Sequence, residues 1–180
     1  MMSLPGWWQR FYWTRLAKPV EDRALFGYLL ERPYRSVLEV GMGDGQRLRR
    51  LARLIQIPPD VDRIRYIGTD EFESAEDRQG HMRLKDAHRL AGQLGFRVAL
   101  VPGPMESTMM RVAHKFGPSD LVIINGGWDP EHPHDCIAGR WLPHIAHEGS
   151  VILASKQPGA TLQPLAIPAG YGQVPRPQAA

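Results

Sequence analysis

The sequence predicts an α/β fold: a doubly wound, mostly parallel sheet of five to six strands, with an aromatic helical extension at the N-terminus. Three observations carry this expectation. Short apolar runs alternate along the chain with segments of helical period. The runs are continuously apolar rather than alternating, as in strands covered on both faces. The first run ends in a glycine-rich turn, Gly41-Met42-Gly43-Asp44-Gly45, that leads straight into a helical segment.

The elements follow in order. Leu4, Trp7, Trp8 and Phe11 share one helix face. Pro19 opens a second helix with Glu21 and Asp22 in its first turn, where acids suit the helix dipole. Ala24, Leu25, Tyr28 and Leu29 form its buried stripe, and Pro33 closes it. Ser36–Val40 is the first strand. The helix after the glycine turn runs from Gln46 to Gln56, with Leu48, Leu51, Ala52 and Ile55 inward and Arg47, Arg49, Arg50 and Arg53 around it. Ile64–Thr69 forms a second strand that ends at Asp70, and Glu71–Gly80 reads as a loop. A helix over Arg83–Leu94 stops at Gly95, before a third strand over Phe96–Val101. Pro102-Gly103-Pro104 breaks that strand, and Glu106–Phe116 is helical. Asp120–Asn125 is the fourth strand, Asp135–His147 a helix bent at Pro143, and Ser150–Ala154 the fifth strand. Leu165-Ala166-Ile167 is a candidate edge strand, and little fixed structure is expected from Gly170 onward.

The 180 residues suit one domain, and 43% apolar with 23% charged residues is ordinary globular composition. The lone Cys136 excludes an internal disulfide. It fits a reducing compartment, and with no signal-peptide pattern the expected location is cytoplasmic. No run of about 18 apolar residues is present, so no transmembrane segment is expected. Charge is uneven, +5 up to Arg65 and −2 after it. No nucleic-acid motif accompanies the basic half, which reads as solvated helix surface.

Right-handed crossovers place the C-terminal ends of parallel strands on one edge, where open α/β sheets bind ligands. Glu39, Gly41, Asp70, Gly103 and Asn125 all fall on that edge. A dinucleotide fingerprint would need a third glycine where Gln46 stands, and Asp44 would repel a pyrophosphate. A cationic nucleoside reverses that argument: Glu39, Asp44 and Asp70 would surround it favourably, Gly41 and Gly43 would let the backbone approach, and Asp70 would accept hydrogen bonds from both ribose hydroxyls.

Val37-Leu38-Glu39-Val40-Gly41-Met42-Gly43-Asp44-Gly45, together with Asp70, resembles the first motifs of class I S-adenosylmethionine-dependent methyltransferases. The resemblance covers about residues 36–155. It implies a Rossmann-like core and S-adenosylmethionine as cofactor. Glu39, Gly41, Gly43, Asp44 and Gly45 would hold the methionine part and Asp70 the ribose. Phe72, with Met105 and Glu106 after the third strand, would flank the adenine. It implies a methyltransferase of unidentified acceptor. The alternative is a non-catalytic module on a shortened methyltransferase fold, because the family sheet usually has seven strands. The expected organisation is an N-terminal helical extension over 1–35, a Rossmann-like cofactor-binding domain over 36–169 and a flexible tail over 170–180.

Asn125-Gly126-Gly127-Trp128 stands where amino-group methyltransferases carry Asn/Asp-Pro-Pro-aromatic, with both prolines replaced by glycine. Asn125 and Trp128 are therefore candidate acceptor-facing residues, and a packed glycine loop is the plainer reading. His132 or His134 could titrate near neutral pH as a general base. With Asp135 and Cys136 they match no zinc spacing, so no metal is expected. The aromatic stretch Trp7, Trp8, Phe11, Tyr12 and Trp13 has three readings: core over the sheet edge, a lid over the crevice, or a membrane-surface contact beside Arg10 and Arg15.

Overall fold

A computed structural model describes residues 6–75, 80–133 and 135–166. Leu4, His134, Ile167 and the tail expected over 170–180 lie outside the described residues. In chain order the elements are α1 (Trp7–Phe11), a π-helical turn over Tyr12–Leu16, α2 (Arg23–Glu31), β1 (Ser36–Val40), α3 (Gln46–Leu54), β2 (Arg65–Asp70), α4 (Leu84–Gln93), β3 (Arg97–Pro102), α5 (Met105–Lys115), β4 (Leu121–Asn125), α6 (Ile137–Ile145), β5 (Val151–Ser155) and β6 (Gln163–Leu165).

The sheet order is β3-β2-β1-β4-β5-β6. The first five strands pair in parallel and β6 runs antiparallel to β5. Strand order thus reverses at β1, between β2 on one side and β4 on the other, which opens a crevice above the β1 and β4 ends. All five residues of β1 are buried, as a central strand covered on both faces requires. Val37 and Leu38 point to opposite faces, and two separate cores result. One joins α2, α3 and α4 to the sheet through Leu25, Phe26, Leu48, Leu51, Tyr66 and Leu90. The other joins α5 and α6 through Leu38, Ile67, Met109, Val112 and Leu142. The doubly wound expectation is met.

Boundaries differ from expectation by one to three residues where turn chemistry intervenes. The second helix begins as a 3₁₀ turn over Val20–Asp22. α3 ends at Leu54, so Ile55 is extended. The last strand is Gln163–Leu165 rather than 165–167, in antiparallel register with Ile152–Ala154. Pro143 stands inside α6, which ends two residues later. The larger difference concerns Arg47. Expected on the solvent face, it is buried with Nε 2.8 Å from Asp22 Oδ1, so the guanidinium taken out of water keeps a charge partner. α2 belongs to the core, while much of α1 and the turn after it stays exposed.

At the opposite, N-terminal edge Asp120 fastens β4 to β1. Its Oδ2 accepts from the N–H groups of Arg35 (2.7 Å) and Ser36 (3.1 Å), and His147 Nε2 lies 3.1 Å from Oδ1. Burial opposes ionisation there, but these donors hold the carboxyl below its ordinary range.

Candidate functional site

The site is built around the glycine turn after β1. Gly41, Gly43 and Gly45 have φ of 79°, 60° and 74°, a region that side chains with a Cβ enter at a cost. The N–H groups of Gly41 and Met42 both donate to the Thr69 carbonyl, at 2.9 and 3.1 Å, so the turn is tied to the end of β2. Asp44 Oδ1 accepts from the Gln46 N–H at 2.9 Å across the turn that leads into α3.

Above this turn lies a hollow of about 480 Å³, within the range of about 300–1,000 Å³ usual for small-ligand sites. Gly41, Met42, Gly43 and Asp44 form its floor, and Asp70, His81 and Asn125 stand on its walls. Asp70 Oδ2 accepts from the Gly43 N–H at 2.6 Å. Its Oδ1 lies 3.3 Å from the Phe72 N–H and 2.5 Å from His81 Nδ1. A carboxylate offers about four lone-pair sites, so three are already engaged. Asn125 is equally committed. Its Nδ2 donates to the Gly41 carbonyl at 3.0 Å, and its Oδ1 accepts from the Gly159 N–H at 3.2 Å. It therefore clasps the β1 turn to the loop after β5.

At Gly41 a side chain would meet backbone. A Cβ there would lie 3.0 Å from the Asn125 carbonyl oxygen. Gly41→Ala is expected to cost about 1–2 kcal/mol from the left-handed backbone alone. Urea denaturation checks this; an unchanged midpoint would show that the turn relaxes freely.

Beneath the floor runs a buried polar chain. Arg47 Nε donates to Asp22 Oδ1 at 2.8 Å, and Arg50 donates to Asp22 Oδ2 through Nε at 3.0 Å and Nη2 at 2.8 Å. Arg47 Nη1 lies 3.9 Å from Glu39 Oε1. Glu39 Oε2 accepts from the Tyr66 hydroxyl at 2.6 Å, while Oε1 has no hydrogen-bond partner among the described residues. Burial pushes the Glu39 carboxyl up to about 7, against the opposing effects of Arg47 and the Tyr66 hydroxyl. Burial and the adjacent Glu39 push the Tyr66 hydroxyl well above its ordinary value.

The hollow thus gathers Gly41, Gly43, Asp44, Asp70 and Asn125 from the sequence-predicted residues. The others stand elsewhere. Glu39 lies below the floor, fully buried, so the expected ring of three carboxylates contains two of its members. Gly45 faces α4, where a Cβ would lie 2.6 Å from Met82 Sδ and 2.9 Å from Leu90 Cδ2. Phe72 is buried in the α2–α4 core with φ of 51°. Met105 packs against the α5–α6 core, and Glu106 is exposed in the first turn of α5. Trp128 lines a separate pocket of about 190 Å³ with Lys156, Thr161 and Gln163, and its Nε1 is buried without an acceptor among the described residues. His132 is exposed, 3.2 Å from Asp129.

Sequence reasoning missed Pro19, Glu21, Arg47, Arg50 and His81, which also line the hollow. One signal was present. Arg47 and Arg50 are three apart at the start of the helix that leaves the glycine turn, so both lie on one face. Nothing in the sequence pairs them with Asp22, 25 and 28 positions earlier.

No protein-family model matches the sequence, and no curated protein matches it. Solved structures do. The chain is similar to the O-methyltransferase TomG from Streptomyces achromogenes, involved in tomaymycin synthesis and solved in complex with SAM, at 19% identity and a TM-score of 0.53, over 78% of this chain and 56% of that one. It is similar to the O-methyltransferase from Bacillus cereus in complex with SAH, also at 19% identity and a TM-score of 0.53, over 77% of this chain and 56% of that one. The chain therefore spans little more than half the length of these structures. The likeness establishes architecture: this chain shares the Rossmann-like, mostly parallel α/β fold of these O-methyltransferase structures.

Proposed function

We propose that the chain binds S-adenosylmethionine in the hollow above the glycine turn and acts as a methyltransferase on an acceptor yet to be identified. The observation that carries this is the cradle itself. Gly41 and Gly43 present bare backbone to the hollow, a Cβ at position 41 would close on Asn125, and Asp70 stands at the end of β2. The charges support a zwitterionic amino-acid end. Glu21 and Asp44 suit an ammonium and a sulfonium, and Arg47 and Arg50 suit a carboxylate. Asp70 has one lone-pair site left, so it accepts one ribose hydroxyl directly and a second only when His81 turns away. Phe72, Met105 and Glu106 do not line the hollow and are given no part in it.

When bound, the cofactor supplies an electrophilic methyl group on sulfur. The chain's task is to position it and keep water out, which needs few catalytic side chains. The domain division at 36 and the cytoplasmic location belong to the same proposal. No helix among the described residues is long and apolar enough to cross a membrane.

A second reading, a cofactor-binding module without transfer, has one observation in its favour. Both ends of the Asn125 amide hold loops together instead of facing an acceptor. Methyl transfer from labelled cofactor to a panel of acceptors separates the two.

The direct test is isothermal titration with S-adenosylhomocysteine. A hydrogen bond to a charged group is worth about 1.5–3 kcal/mol, so Asp70→Ala is expected to weaken binding about tenfold to a hundredfold. Unchanged affinity would remove Asp70 from the site, and no heat with the wild type would end the proposal.

A further inference from the structure

We propose that the segment over residues 7–20 docks on the surface of an anionic lipid bilayer. Six large apolar side chains crowd this short stretch while exposed to solvent: Trp7 (68%), Trp8 (72%), Phe11 (43%), Tyr12 (51%), Leu16 (58%) and Val20 (51%). Elsewhere among the described residues only Ile57 and Met110 are comparably exposed. Isolated exposed apolar residues are ordinary, whereas a contiguous patch marks an interaction surface.

The segment is fixed from behind. Trp13 packs edge-on against Phe26 with ring centroids 5.3 Å apart, Ala17 is buried, and Arg23 Nε donates to the Ala17 carbonyl at 3.1 Å. The outward rings of Trp7, Trp8 and Phe11 pack on one another, with Trp7 and Trp8 centroids 4.4 Å apart and Trp7 and Phe11 centroids 6.1 Å apart, and Tyr12 packs edge-on against Trp13 at 5.5 Å.

Charge chooses the occupant. The first twenty residues contain Arg10, Arg15 and Lys18 and no Asp or Glu. Arg15 and Lys18 are exposed in the same segment. Tryptophan and tyrosine have an apolar body and a polar edge, which suits the headgroup boundary, and each nearby cation gains from anionic lipid. A second copy fits less well, since a symmetric contact of this patch would bring Arg15 and Lys18 of both copies together, four cations without a counter-charge in the segment. Pro19 within the segment and Glu21 just after it line the hollow, so docking joins the bilayer contact to the rim of the candidate site.

The test needs no cofactor and is independent of methyl transfer. The full chain is mixed with vesicles of phosphatidylcholine alone, or of phosphatidylcholine and phosphatidylserine in equal parts, and bound protein is measured by flotation. Binding is expected to the phosphatidylserine vesicles and to fall with added salt. Trp7→Ser with Trp8→Ser is expected to weaken it by about tenfold or more. Arg15→Glu with Lys18→Glu is expected to remove the preference for phosphatidylserine. These positions are exposed, so the melting temperature stays unchanged and lost binding is not lost folding. Absence of flotation with phosphatidylserine overturns the proposal. So does self-association in solution that the tryptophan substitutions abolish, because a second copy then covers the patch.

Discussion

Asp22→Ala is expected to lose about 3–5 kcal/mol of folding stability, the cost typical of removing one partner from a buried ion pair. The Asp22 carboxylate is fully buried and accepts three hydrogen bonds from Arg47 and Arg50. The two arginines do not share the loss equally. Arg50 lines the hollow with a quarter of its side chain exposed and can turn to water. Arg47, with 8% of its side chain exposed, would be left with Glu39 at 3.9 Å, beyond hydrogen-bond reach. The uncompensated guanidinium therefore carries the penalty. Adding Arg47→Met to Asp22→Ala is expected to recover part of it, because the buried cation is removed together with its partner. Urea denaturation of both variants measures this. A loss below about 1 kcal/mol for Asp22→Ala would place the pair with exposed salt bridges and contradict its burial.

The same residues show where sequence reading succeeds and where it stops. β1 was legible because its apolar residues Val37, Leu38 and Val40 run straight into a glycine-rich turn whose left-handed residues stop regular structure, so two local signals agreed at Ser36–Val40. α4 was legible because Gly95 supplies the left-handed residue that ends it. Gly41, Gly43, Asp44, Asp70 and Asn125 were legible as edge residues, since parallel topology alone puts strand ends together. Local pattern could not reveal pairings made across 25 or more positions. Arg47 reads as a solvent-facing residue until Asp22 is brought against it. Glu39 reads as a ligand residue until Tyr66, one strand away, is seen to hold its carboxylate below the floor. His81 follows a loop with no periodicity, so its approach to Asp70 left no trace in the sequence. The exposed rings of α1 were visible as an apolar face, but an apolar face predicts burial as readily as exposure.

Glu39 gives this protein a stability that falls as the medium passes from acid to neutral. The carboxyl is pushed from 4.5 up to about 7, chiefly by burial. Over that interval the native chain keeps a proton that the unfolded chain has released, so raising the pH favours unfolding. The contribution is fully present below about pH 4.5 and is lost as the pH climbs through about 7. One pKa unit corresponds to about 1.4 kcal/mol, which puts the full change near 3 kcal/mol. Glu39→Gln keeps an acceptor for the Tyr66 hydroxyl and cannot titrate. Its stability relative to wild type, from urea denaturation at pH 5 and pH 8, is therefore expected to rise by about 3 kcal/mol between the two. Other groups contribute equally to both proteins and cancel in the difference. Parallel stability curves would show that Glu39 is ionised throughout. Tyr66→Phe sharpens the test, because it removes the donor held 2.6 Å from the carboxylate. The ionised form then loses its strongest neighbouring hydrogen bond, and the window in which stability falls moves to higher pH.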